Sequence, residues 1–427
     1  MMLNSTYHKR EFIMFRGSVG PGNITLTGDQ NINEVVANTN LTVIDGKLIV
    51  GIMRDSVSLT TQLSTSTLPL DIEVKQLLGT GTIVSAGKVN IDTAFKERVT
   101  ITAIGDIGAV STGDGSALTS STGGICVKTV GDCSQLNSAG DIQVECVGSF
   151  SQLTSNNGNI NVYTLGSNCT ASANGDLTVR ASVGVACSLT SITKGICVAH
   201  GVGAFSALDA YTSISCRGDV GENAALIART GEIEVCGDVD DGVALRADKK
   251  ITVTCGVGVQ AALESNDTIV VHGKIGSQSA LKALNGIQIT GELKQGVQVS
   301  ATNGAITING AVGSECQLTA VGLIQVKGLV QDKAILSCPG GKISITGAVS
   351  KSATLTANQV YINGHLQPLT PEEAALADSI IKNDAPSKTS FTVLTNKDFL
   401  EKKGFWANKQ EQSTVSATSA LSVSPKI

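Results

Sequence analysis

Residues 304–320 read "GAITINGAVGSECQLTA", a stretch with one charged residue, Glu315, and close variants of it recur along most of the chain. Within it Ile306, Val312 and Leu318 stand six residues apart. The preceding coil supplies Ile287, Leu293 and Val299, and the following two supply Ile324, Val330, Leu336 and then Ile343, Val349, Leu355. Upstream the triplet continues back to Leu177, Val183 and Leu189, so ten consecutive coils hold an aliphatic residue at all thirty positions. A helical stripe of period 3.6 cannot keep a spacing of six over such a length, and a short unit repeated this often marks a stacked array.

The step from one triplet to the next is six or seven residues, so coils of two lengths occur, differing by a single residue. The extra residue falls beside Gly195, Gly231, Gly304 and Gly341, where glycine is expected to supply the unusual backbone angles of a tight corner. In "AITI", "LIQV" and "KISI" the aliphatics alternate with Thr307, Gln325 and Ser344, the period-2 pattern of a strand with one inward face. Three short strands per coil, joined by corners, predict an all-β fold: a triangular parallel β-solenoid (β-helix) with 18–19-residue coils. A single coil cannot bury its own aliphatics. Stacking buries all three at about 1.5–3 kcal/mol each, and stability becomes a sum over neighbouring coils. Ile306, Val312, Leu318, Ile324, Val330, Leu336, Ile343, Val349 and Leu355 are the predicted structural core.

The pattern weakens toward the N-terminus. Leu118, Leu136 and Leu153 match the third strand, Ile125 and Val127 match the first, and Ala171 closes a coil in which Gly166 stands for the second aliphatic. Five segments follow: an N-terminal segment (1–22), irregular β-rich coils or an N-terminal cap (23–117), the regular solenoid (118–364), a capping helix (365–386) and a partly disordered tail (387–427). Some fourteen regular coils at about 4.8 Å each predict a rod of roughly 65 Å. In "LTPEEAALADSIIKNDAP", Thr370 is the predicted N-cap, Pro371 the first helical residue and Glu373 the partner in a capping box, with Leu376, Ala377, Ile380 and Ile381 as the apolar face. Such a helix suits a lid over the open edge of the last coil. In the tail, Phe399, Phe405 and Trp406 are candidate partner contacts; Trp406 is the chain's one tryptophan.

Composition narrows the function classes. The chain has 427 residues, 47 of them Gly, with 3% aromatics and a formal net charge of −5. No basic patch favours nucleic acid or anionic lipid. No run of eighteen apolar residues predicts a membrane span. The opening "MMLNSTYHKREFIMFRGSVG" lacks the apolar core of a secretory signal, and 11 cysteines, an odd number, point to reduced thiols in a cytoplasm. Export without an N-terminal signal peptide is the alternative.

Chemistry-bearing residues are few. Cys169, Cys187 and Cys316 precede the third aliphatic by two residues, on the inward side, while Cys146 and Cys255 follow the first by four. All are expected as small apolar filler, because paired CxxC or His spacing for zinc is absent. The histidines are His8, His200, His272 and His365. His200 or His272 would be the base if the chain were a left-handed β-helix acyltransferase, yet Val-Gly recurs on one face alone, as at Val202–Gly203 and Val257–Gly258. Asp238, Asp240 and Asp241 in "GDVDDG" lack the glycine-rich repeat of calcium-loaded solenoids and read as a solvated corner. Sequons at Asn23, Asn40 and Asn168 carry no weight in a chain so rich in Asn and Thr. A polysaccharide-cleaving groove needs rings, and the array offers Phe150, Tyr163, Phe205, Tyr211 and Tyr361. An ice-binding face would show a Thr-x-Thr ladder; the first strand's outward position reads Thr178, Cys197, Ser215, Glu234, Thr252, so none is expected.

The six-residue aliphatic spacing with glycine corners over about residues 118–364 resembles the bactofilin-type polymer-forming scaffolds of bacteria. That resemblance implies a triangular solenoid core assembling end to end without nucleotide. Coils such as "NNGNINVYTLG" resemble haemagglutinin-type adhesin repeats, without the signal and secretion domain of those proteins. The sequence therefore points to a non-enzymatic scaffold rod with no cofactor or metal, whose partner is itself or a protein held by the tail. A surface or secreted adhesin or effector is the second reading, and the acyltransferase the third.

Overall fold

The computed structural model describes residues 13–64, 70–93 and 97–367, all within one compact unit. The expected capping helix from Thr370, the aromatic cluster Phe399, Phe405 and Trp406, and His8 lie outside the described residues. Alternating side chains leave each strand one apolar face, and the chain buries that face by winding. Among the described residues 38 strands form one sheet, and every pairing is parallel except the last. Successive rungs make a parallel β-solenoid of about 19 turns. At about 4.8 Å per rung, the stack is roughly 90 Å long.

Three ladders run along it. The first carries Ile287, Ile306, Ile324 and Ile343 in register, each flanked by a second inward aliphatic such as Ile308 or Val326. The third carries Leu281, Val299, Leu318, Leu336 and Leu355. Between them the second ladder joins Val130, Val147 and Leu165 at the ends of six-residue strands, then narrows to single bridges from Val183 to Val349. One apolar cluster extends from Val19 to Val360. Ile306, Val312, Leu318, Ile324, Val330, Leu336 and Ile343 are fully buried in it, whereas Val349 and Leu355 are partly buried at its end.

Four sequence expectations need correction. Residues 23–117 are not a cap but the irregular coils of the alternative reading: Ile32, Val50, Val74, Ile91 and Ala109 continue the first ladder into Val127. Their period is hidden because the turn from Val50 to its partner Val74 is much longer than the others, and the turn from Val74 to Ile91 is shorter. In the coil closed by Ala171, the second ladder is occupied by Leu165, which bridges Val183, and not by Gly166. At the C-terminal side, His365 and Leu366 do not begin a helix. They turn back at Asn363–Gly364 and pair antiparallel with Ile362 and Tyr361.

The fourth correction concerns the glycines. Gly195, Gly231, Gly304 and Gly341 do not adopt positive φ. They are small because rungs meet there: a Cβ on Gly304 would sit 1.2 Å from the Asn285 carbonyl oxygen, and one on Gly341 2.0 Å from that of Gly322. The left-handed turn lies at a different corner, before the third ladder. Non-glycine residues take it once per coil at Cys133 (φ 55°), Phe150 (59°), Asn168 (57°), Ala186 (56°) and Phe205 (58°). Such angles cost about 1–2 kcal/mol per L-residue, so the stack must hold each one in place.

Candidate functional site

Each left-handed corner is followed by a small buried residue that anchors it. This column reads Ser116, Ser134, Ser151, Cys169, Cys187, Ser206, Ala224, and later Ser279 and Cys316, all buried. Ser116 donates to the Gly113 oxygen of its own corner, and the other hydroxyls and thiols donate to a carbonyl of the preceding coil. Ser151 Oγ reaches the Gly131 oxygen at 3.1 Å, Cys169 Sγ that of Gly148 at 3.0 Å, Cys187 Sγ that of Gly166 at 3.0 Å and Cys316 Sγ that of Lys294 at 2.9 Å. Cysteine thus stands in for serine as a hydrogen-bonding filler. The Cys187 thiol is pushed well above the usual thiol range by its hydrogen-bonding contact with the free thiol of Cys169 and by burial, and burial pushes Cys216 up to about 11.

The other cysteines divide differently. Cys146 and Cys255, read from sequence as filler, are exposed, as are Cys126, Cys133 and Cys236, while Cys197 is half-buried. Cys146 fails as filler because it shares its rung position with Thr129 and Thr164, between the inward Val144 and Val147. His200, His272 and His365 are exposed on the surface of the stack. Asn23, Asn40 and Asn168 are also exposed, and Asn40 donates to Asn23 at 2.7 Å.

Corner carboxylates are turned on the backbone. Asp238 Oδ1 accepts the Gly256 N–H at 2.7 Å, and Asp241 Oδ1 that of Val259 at 2.6 Å. Equivalent bonds join Asp114 to Asp132, Asp132 to Ser149 and Asp141 to Asn159, always one coil apart. Each carboxylate satisfies a corner N–H that the ladders leave unpaired. Asp240 differs: burial, then the charges of Asp219, Asp241, Asp238 and Glu222, raise its pKa above the ordinary carboxylate value. Among the described residues no group of three or more His, Cys, Asp or Glu side chains is placed to hold a metal ion.

Two adjoining depressions, of about 420 and 740 Å³, lie over the first ladder between Lys88 and Arg180. Several of their polar groups have partners in the stack. Lys88 meets Asp106 at 2.7 Å, Asn90 donates to Asp92 at 3.2 Å and Arg180 to Asn161 at 3.1 Å. Tyr163, at 53% exposure, is the one ring on their lining, and Phe150, Phe205 and Tyr211 are exposed elsewhere. Lys342 lies 4.0 Å from the centre of the Tyr361 ring, a cation–π contact.

The first ladder has an uncharged outward column from Asn90 to Ser215, and the outer side of the third ladder carries a longer and wider uncharged stretch. Two outward residues per rung form two columns over ten rungs. One column runs Asn23, Asn40, Ser58, Thr82, Thr100, Ala117, Gln135, Gln152, Thr170, Ser188. The other runs Thr25, Thr42, Thr60, Val84, Thr102, Thr119, Asn137, Thr154, Ser172, Thr190. None of these residues is charged. Beyond Thr190 the second column turns to Asp209, Arg246, Glu264 and Lys282, with Glu264 3.5 Å from Lys282. Thr fills seven of the ten places in the second column, but the Thr-x-Thr pattern occurs on one rung of this face, at Thr100 and Thr102.

Comparison with known proteins finds no matching family model, no matching curated protein and no matching solved structure, so neither the bactofilin nor the adhesin resemblance gains support from a family match.

Proposed function

We propose that the protein is a non-enzymatic structural scaffold of the cytoplasm, a rod of triangular cross-section that assembles end to end. The observation that carries this reading is the uninterrupted stack with its core left partly uncovered near the ends. Ile24 and Leu26 in the first described coils, and Val349, Ala353, Leu355 and Ile362 in the last, are partly buried core members; Ala109 is the one such residue between them. The Thr354–Ala357 segment of the last rung pairs with a single neighbouring rung among the described residues. A strand edge above half-covered aliphatics is a template for another strand, and the Thr354–Ala357 edge offers the parallel register of the rungs beneath it, while Tyr361 and Ile362 are paired antiparallel with Leu366 and His365. Two identical rods therefore present complementary ends, head to tail, in a contact that propagates.

Negative-stain electron microscopy of the full-length reduced protein across a concentration series tests the proposal. Filaments of constant width that lengthen with concentration are the expected result. Rods of one fixed length at every concentration would overturn end-to-end assembly.

A further inference from the structure

We propose that the uncharged face of the third ladder, between Asn23 and Thr190, is a lateral contact surface for a second copy of this chain, with the two rods antiparallel. A soluble surface is about 25–35% charged, which would place five to seven charges among twenty outward positions. This face has none, and ten of its twenty positions are Thr. The β-propensity of Thr does not account for the missing charges. The same ladder accommodates Arg246, Glu264 and Lys282 farther along, so charge is compatible with the strand and is kept off this part of it.

The chemistry of the face selects the occupant. A nucleic acid would need cations, which the face lacks. A glycan would gain from aromatic platforms, and no ring stands in either column. Hydroxyls and carboxamides both donate and accept, so the surface is complementary to itself. A two-fold axis across the rods at the middle of the face sets each column against its own reverse. Gln135 then lies opposite Thr82 and Gln152 opposite Ser58, so the long side chains meet short ones. The axial repeat of about 4.8 Å and a column separation of about 6.7 Å give a patch roughly 45 Å by 12 Å. Two such patches bury about 1,000 Å² in all, the lower bound for a specific interface, which makes the dimer weak and concentration-dependent. In this arrangement the charged length beyond Thr190 lies outside the overlap.

The contact is lateral and independent of the rod ends, so the two assembly modes fail separately. Sedimentation equilibrium of the full-length reduced protein is the test, with a Thr102→Lys/Thr119→Lys variant and Thr307→Lys on the first ladder as the control. Below the concentration at which rods join end to end, the parent and the control are expected to dimerise alike, and the double variant to dissociate at least tenfold more readily with an unchanged circular dichroism melt. A Thr102→Ser/Thr119→Ser variant, which keeps the hydroxyls, is expected to dimerise as the parent does. A parent that is monomeric throughout, a double-lysine variant that dimerises as tightly as the parent, or filaments strictly one rod wide would each overturn the proposal.

Discussion

A thiol and a hydroxyl are close in size, and the corner before the third ladder uses either one to bind a carbonyl of the coil beneath. The positions of Cys169, Cys187 and Cys316 were legible from spacing alone, because each precedes a third-ladder aliphatic by two residues. Their hydrogen bonds were not, since nothing in a linear pattern tells which carbonyl of the coil beneath lies within reach. Cys146 and Cys255 were misread for a related reason: residue type favours the interior, and register overrules type. This partition is measurable. With a water-soluble disulfide reagent, native protein is expected to release a fast phase from Cys126, Cys133, Cys146, Cys236 and Cys255, a slower one from Cys197, and nothing further until it unfolds. Burial raises the pKa of Cys216, Cys316 and Cys338, so their rates stay suppressed at a mildly alkaline pH where the exposed thiols ionise. Fast reaction of all eleven thiols, counted by intact mass, would mean that the corners open readily.

At the scale of the corner, a turn between strands must still satisfy its own N–H groups, and Asp does so from one coil away. Asp106 is the clearest case: its bond with Lys88, then the Gly124 N–H that it accepts at 2.9 Å, hold its carboxyl below the ordinary value. A carboxyl with a depressed folded-state pKa stabilises the fold above its unfolded pKa of about 3.9, and that contribution is lost as pH falls through the folded value. Urea midpoints are therefore expected to be flat from neutral pH to about 5 and to fall below about 4. Asp106→Asn keeps an acceptor for Gly124 but loses the pair with Lys88, an exposed contact that water and salt screen. Its midpoint should start slightly lower and fall less steeply in acid; an unchanged acid slope would show that this corner carries no pH dependence. Sequence displayed these Asp residues but not their roles. The uncharged columns stayed hidden for the same reason. Aligning Thr60 with Val84 requires stepping over the overlong turn between them, and only the pairing of rungs reveals it.

Across the whole molecule, each coil touches chiefly its two neighbours, and the fold should behave as a row of units with interface energies. The period was readable because it is carried by inward aliphatics, the residues under the strongest physical constraint. Where the long turn from Val50 to Val74 and the short one from Val74 to Ile91 interrupt it, the sequence loses a register that the ladders keep. The row can be shortened by design. Gly286 pairs in register with Ala305, so excising residues 286–304 joins Asn285 to Ala305 and removes one turn without shifting a ladder. Leu281 then stacks on Leu318, as it now stacks on Val299. Because stability is a nearest-neighbour sum, this variant is expected to melt cooperatively within about 5 °C of the parent. Excising residues 286–294 removes half a turn. It sets inward aliphatics of one ladder against a corner of the next coil, and the strand signal should drop across several coils. If the whole-coil deletion unfolded as readily as the half-coil one, stability would have to reside in contacts spanning many turns, and the independence of coils assumed for both modes of assembly would fall with it.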